Sequence, residues 1–330
     1  MDEKELIQLS NKLLNRFIFK SKQFCDKYCV PDGLGDILKV YSLTGNIYDE
    51  LKFSNKLGYD YDYFAFVKST KTLIALKALQ NDTEYHFNED CFMLIRSIFE
   101  NHIINRYVRE HIDIENERQN VVQKFILNPL AVTFNHFSLS GSGIIDDKGK
   151  TIGKIPVPAS YKMGEEDNYY SNFYQFLCQY THCSFGALTC YFDDRLYTYK
   201  KNNYKLLTLF FSIFVFTKIY EGVVTVEGED FDTEKEEKSF YNLAYDSIEL
   251  QIRLIDYLID FYNNVEKDQV TYILEKYLGD DDYNKSNIKI VEMLRQMKKS
   301  IFDDPIGSLD KSKMIDPGHF DRKYPTAWSR

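Results

Sequence analysis

CFMLIRSIFENHIINRYVREH, residues 91–111, has no Gly or Pro and is apolar almost all round, the pattern of a helix buried on most sides. Two charges interrupt it. At about 100° per residue, Arg96 and Glu100 fall near the middle of the stripe formed by Phe92, Phe99, Ile103 and Tyr107. A solvated helix keeps its charges away from its aromatics, so this pair is either buried and satisfied or lines a pocket. Just upstream, Asn88 reads as the N-cap, with Glu89 and Asp90 in a first turn that favours negative charge.

The flanking sequence extends the helical pattern in both directions. Residues 3 to 29 repeat apolar positions at helical period up to the turn signals Pro31, Gly33 and Gly35, a short helix follows from Ile47, and Tyr61 to Leu79 is helical again. Downstream, the acidic segment Asp113 to Glu117 interrupts the apolar pattern, and Val121 to Phe137 reads as a helix broken by Pro129. Ser138 to Asp167 is irregular, with a small hairpin turning at Lys148 and Gly149 that sets Ile144 and Ile145 opposite Thr151 and Ile152. Helices are expected over Asn168 to Phe192, Tyr204 to Tyr220, and from a Thr233 cap to Asn263, with two shorter ones at 266–278 and 286–302. The fold class is therefore all-α: a helical bundle over residues 1–302, a β-hairpin excursion near 144–155, and an extended C-terminal tail, 303–330, available to a protein partner.

Composition agrees. The 330 residues include 26 Tyr and 25 Phe but only 15 Gly and 7 Pro, too few breakers for a strand-rich sandwich. A net charge of −9 argues against a broad basic groove that coats nucleic acid, while leaving room for a small phosphate site. The start MDEKELIQLSNKLL lacks a signal-peptide pattern, and six cysteines sit in apolar or helical stretches, so reduced thiols in a cytoplasm are expected. The longest apolar run, Leu206 to Phe216, falls short of the roughly 20 residues a bilayer span needs, so a core helix and no membrane association are expected.

Three constellations carry candidate chemistry. Arg96 and Glu100, one turn apart, form either a packing ion pair or a phosphate-binding guanidinium beside an orienting base. His182 lies on a stripe with Ser171, Gln175, Cys178, Gly186 and Thr189 whose small side chains invite another helix, and the expectation is that His182 meets Arg96 or Glu100 on the central one. Arg106 and His111 form an alternative pair. Residues five apart on a straight helix diverge by about 140°, so these two converge only if the helix ends or bends, or if a second copy of the chain completes the site. Cys178, His182, Cys183 and Cys190 have no second cluster to answer them, so neither a metal nor a cofactor is expected.

Arg106/His111 (Arg-x4-His) and Arg96/His102 (Arg-x5-His) resemble the Arg-x4-6-His pattern of HEPN ribonucleases, helical enzymes that cleave RNA without a metal. R-S-I-F-E at Arg96 to Glu100, followed by Y-T-H-C-S at Tyr180 to Ser184, resembles family 5677 of the bacterial domains of unknown function, with residues 60–265 as the family-like core. The HEPN resemblance implies a metal-independent endoribonuclease effector of a bacterial anti-phage defence or toxin system, acting on RNA, while the likeness to family 5677 carries no activity and marks Arg96, Glu100 and His182 as the candidate residues. The alternative is a non-catalytic helical sensor or scaffold in such a system, whose polar residues fix packing.

Overall fold

The computed structural model describes residues 2–45, 56–134, 138–162, 169–181, 187–193, 196–202, 204–224, 231–264 and 281–303. The fold is all-α with a small antiparallel sheet. The chain divides into two compact units: Met1–Gln23, Ser69–Phe99 and Gly164–Arg330 in the first, and Phe24–Lys68 and Glu100–Met163 in the second. Three helices continue from one set of residues into the other, α1 (Glu3–Tyr28), α3 (Lys56–Gln80) and α4 (Asn88–Ile112).

The first unit is built on α9 (Lys205–Val224), whose side chains are buried almost without exception. Although α9 has the length and composition of a membrane span, nearly all of it is covered by protein. Phe17 of α1 meets Phe216 and Tyr220 edge-on at 5.4 and 5.0 Å. α10 (Glu234–Asn264) packs alongside α9, and α11 (Asp281–Asp303) packs against α10. A buried polar set joins α9 to α10: Thr217 donates to Ser247 at 3.0 Å and Gln251 to Thr217 at 3.2 Å. Thr233 caps α10 as its sequence suggests, its hydroxyl accepting the Glu236 N–H at 3.2 Å.

Within this unit α7 (Tyr170–Gln179) lies on the first half of α4. Phe92 meets Phe176 at 5.2 Å and Tyr180 at 4.8 Å, while Phe99 meets Phe173 at 5.0 Å. The expected helix from 168 to 192 is shorter than its periodicity suggested. α7 stops at Gln179, where the Thr181 hydroxyl turns back onto the Leu177 carbonyl at 3.1 Å, and α8 (Leu188–Tyr191) is a single turn. Beyond it lies a two-stranded ribbon, β4 (Phe192–Asp193) paired with β5 (Leu196–Tyr197).

In the second unit α2 (Leu34–Thr44) occupies a place where the sequence signalled only a turn. Gly33 at its N-terminus offers no side-chain cap, and Asp60 of α3 replaces one by accepting the Asp32 and Leu34 N–H groups at 2.7 and 2.6 Å. Gly58 allows α3 to approach α4, since a Cβ there would lie 2.9 Å from Ile112. The acidic segment after α4 starts a helix, α5 (Glu115–Val122), with Glu115 and Glu117 in its first turn. Pro129 does not break the helical path. A π turn, Gln123–Leu127, shifts the ladder so that Asn128 N–H bonds the Gln123 carbonyl, and Pro129 enters α6 (Asn128–Thr133) in its first turn, where its missing N–H costs little. The core joins Ile37, Val108, Ile112, Val122, Phe125 and Leu127.

The expected hairpin is present, with one more strand than anticipated: β1 (Ser138–Ser140), β2 (Gly143–Ile145) and β3 (Thr151–Lys154) form an antiparallel meander. Ile145 pairs with Thr151 as expected, but an irregularity sets Ile144 opposite Gly153 rather than Ile152. Gly149 makes the turn at φ +77°, and the Asp146 carboxylate accepts the Lys148 and Lys150 N–H groups. The short helices expected from Ile47 and at 266–278 fall mainly outside the described residues, as does the tail from 304.

Candidate functional site

The Arg96 guanidinium donates to the Tyr174 hydroxyl at 2.7 Å, with its Cζ 4.8 Å from the Tyr174 ring centroid. Tyr174 in turn stacks on Tyr170 at 5.1 Å and 13°, and Tyr170 lies 5.5 Å from Phe99. The charge in the aromatic stripe is thus held by an aromatic helix, through a charge-assisted hydrogen bond and a cation–π contact. Phe92, Ile95 and Phe99 beside it are fully buried, whereas Arg96 is half-buried. Glu100 comes one turn later and is half-buried as well.

His182 lies outside the described residues, as do Cys183 and Ser184. The polar stripe expected to face the central helix does not do so where it is described: Ser171 and Gln175 are exposed, and α7 meets α4 through Phe173, Phe176 and Tyr180 instead. The physical reason is that burying aromatic area outweighs the close approach offered by small residues.

The alternative pair sits on an uninterrupted stretch of α4, which runs on to Ile112, so Arg106 and His111 keep their angular divergence. Arg106 Nε pairs with Glu110 at 3.0 Å. His111 stacks on Tyr107 at 3.9 Å, and its Nδ1 lies 2.8 Å from the Tyr107 carbonyl. A carbonyl only accepts, so Nδ1 carries the proton, and Nε2 faces Glu117 at 3.9 Å. His102, the partner of Arg96 in the other spacing match, is buried.

The start of α4 holds a feature that sequence reasoning missed. Asn88 is not a cap: its amide crosses to Asn202 at 3.0 Å, and the Phe87 carbonyl takes the first helical bond, from Cys91. Glu89 is not solvated at the helix dipole but buried at 6% exposure, with Oε2 lacking a hydrogen-bond partner. Burial raises its pKa to about 7, against a smaller opposing effect of its own backbone N–H. Cys91 is pushed up to about 12 for the same reason. Nearby, burial and then Tyr204 and Cys190 hold the Tyr180 phenol far above its ordinary range. Tyr204, at the entry to α9, adopts φ +58°, a costly conformation for a bulky residue. The acidic F-N-E-D sequence was the only signal at Glu89, and it is shared by ordinary solvated helix starts.

Cys25, Cys29, Cys91, Cys178 and Cys190 form no disulfide. Among the described residues no cluster of three or more His, Cys, Asp or Glu side chains could hold a metal ion. Comparison of the chain with protein-family models, with curated proteins and with solved structures found no match.

Proposed function

We propose that the protein is a non-catalytic helical binding protein, a sensor or scaffold, in which the charges of α4 fix helix packing. The observation that carries this reading is the engagement of Arg96 with Tyr174: a guanidinium already hydrogen-bonded and stacked on its own fold is poorly placed to receive a scissile phosphate. Its likeness to family 5677 at Arg96 to Glu100 and Tyr180 to Ser184, and a place in anti-phage defence, belong to the same proposal.

A HEPN-like endoribonuclease is the second reading, favoured by one observation. The His111 imidazole is oriented by the Tyr107 carbonyl with Nε2 toward Glu117, an arrangement suited to proton transfer. Expression of wild type, His182→Ala and His111→Ala, followed by cell growth and RNA integrity, separates the two. The binding reading predicts intact RNA and equal growth in all three. RNA cleavage by wild type that either variant abolishes would overturn it.

A further inference from the structure

On α1 the residues Lys12, Asn15, Arg16 and Phe19 recur at three and four and share one face, with Asn11 and Lys20 at its two edges, away from the buried Leu6, Leu14 and Phe17. That face lines an open groove of about 670 Å³, flanked by Ser239 and Leu243 of α10, within the usual size of small-molecule sites. We propose that this groove binds a nucleoside phosphate, with the phosphate on Lys12 and Arg16 and the base on Phe19.

A run of cations on a helix is ordinarily a solvated face, but three further observations distinguish this one. Behind the groove, Lys77 is buried at 6% exposure, and its ammonium donates to two neutral amide oxygens, Asn11 and Asn81, at 2.6 Å each. Among the described residues this ammonium has no anion to neutralise it, burial and then Lys205 lower its pKa, and it lies directly behind Asn11, which lines the groove. Lys20 is itself partly desolvated, its ammonium 4.7 Å from the Phe240 ring. Phe19, by contrast, is 60% exposed between cations, and an aromatic side chain left in water beside positive charge is the platform on which a base stacks.

The local charge also limits the ligand. Asp246 takes Arg16 Nη1 at 2.8 Å, leaving the rest of its fork available, and Glu236 acts on Lys20. Among the described residues Lys12 has no ion-pair partner. On the groove wall the cations Lys12, Arg16 and Lys20 outnumber these two carboxylates. A long nucleic-acid strand would meet those carboxylates and the overall charge of −9. This groove involves none of the α4 residues, so the proposal stands or falls independently of whether α4 is catalytic.

Isothermal titration of the full-length protein with AMP, GMP, adenosine and inorganic pyrophosphate tests it. A nucleotide is expected to bind with Kd below about 1 mM. Lys12→Ala, at an exposed position, should weaken nucleotide and pyrophosphate alike by about tenfold at unchanged Tm. Phe19→Ala should weaken the nucleotide while sparing pyrophosphate. No heat with either nucleotide at millimolar concentration, or undiminished nucleotide binding by Lys12→Ala, would overturn it. Tighter binding of a single-stranded RNA oligomer than of either nucleotide, lost in Lys12→Ala, would overturn it in favour of a strand.

Discussion

Glu89 carries the clearest pH signature of any residue at the start of α4. Its folded pKa of about 7 lies above the ordinary 4.5. At acidic pH both folded and unfolded chains hold the proton, and the fold bears no penalty. As pH rises above 4.5 the unfolded chain gains by ionising while the folded one does not, so stability falls until about pH 7 and then stays low. Glu89→Gln is therefore expected to raise Tm relative to wild type at pH 8 and to change it little at pH 4, measured by thermal denaturation. Equal shifts at both values would show that the carboxyl is not buried in its neutral form. Nothing in N-E-D announces this, because burial of Glu89 is decided by what packs over the helix start.

At the scale of elements, periodicity made α1, α4, α9 and α10 legible, since each has a long apolar face or is apolar throughout. α2 was hidden because Gly33 and Gly35 look like a turn and its cap, Asp60, comes from 26 residues further along the chain. Asp60→Ala should cost about 1–3 kcal/mol in urea denaturation, as two backbone N–H groups lose their acceptor. An effect within experimental error would mean that water replaces the carboxylate. Gly58→Ala should destabilise by a similar ~1–3 kcal/mol, because the new methyl group meets Ile112; a neutral result would show that the helices separate easily there. Pro129 misled because a π turn, which no local pattern advertises, absorbs it. The 168–192 helix misled because its polar stripe had helical spacing, while side chains such as Thr181 bond their own backbone and favour its end.

For the molecule as a whole, fold class was readable from scarce breakers and abundant aromatics, whereas the role of Arg96 was not. Its oddity within the stripe was visible, but its partner Tyr174 lies 78 residues away, on the aromatic face of α7 rather than the polar stripe that drew attention to His182. The central claim is that Arg96 holds α4 to α7. A double-mutant cycle of Arg96→Met and Tyr174→Phe, monitored by urea denaturation, measures this directly. The account predicts that the two substitutions are non-additive by about 1 kcal/mol, the value of a charge-assisted hydrogen bond that neither variant retains. Additivity within about 0.3 kcal/mol would contradict it, and would leave Arg96 available for a ligand.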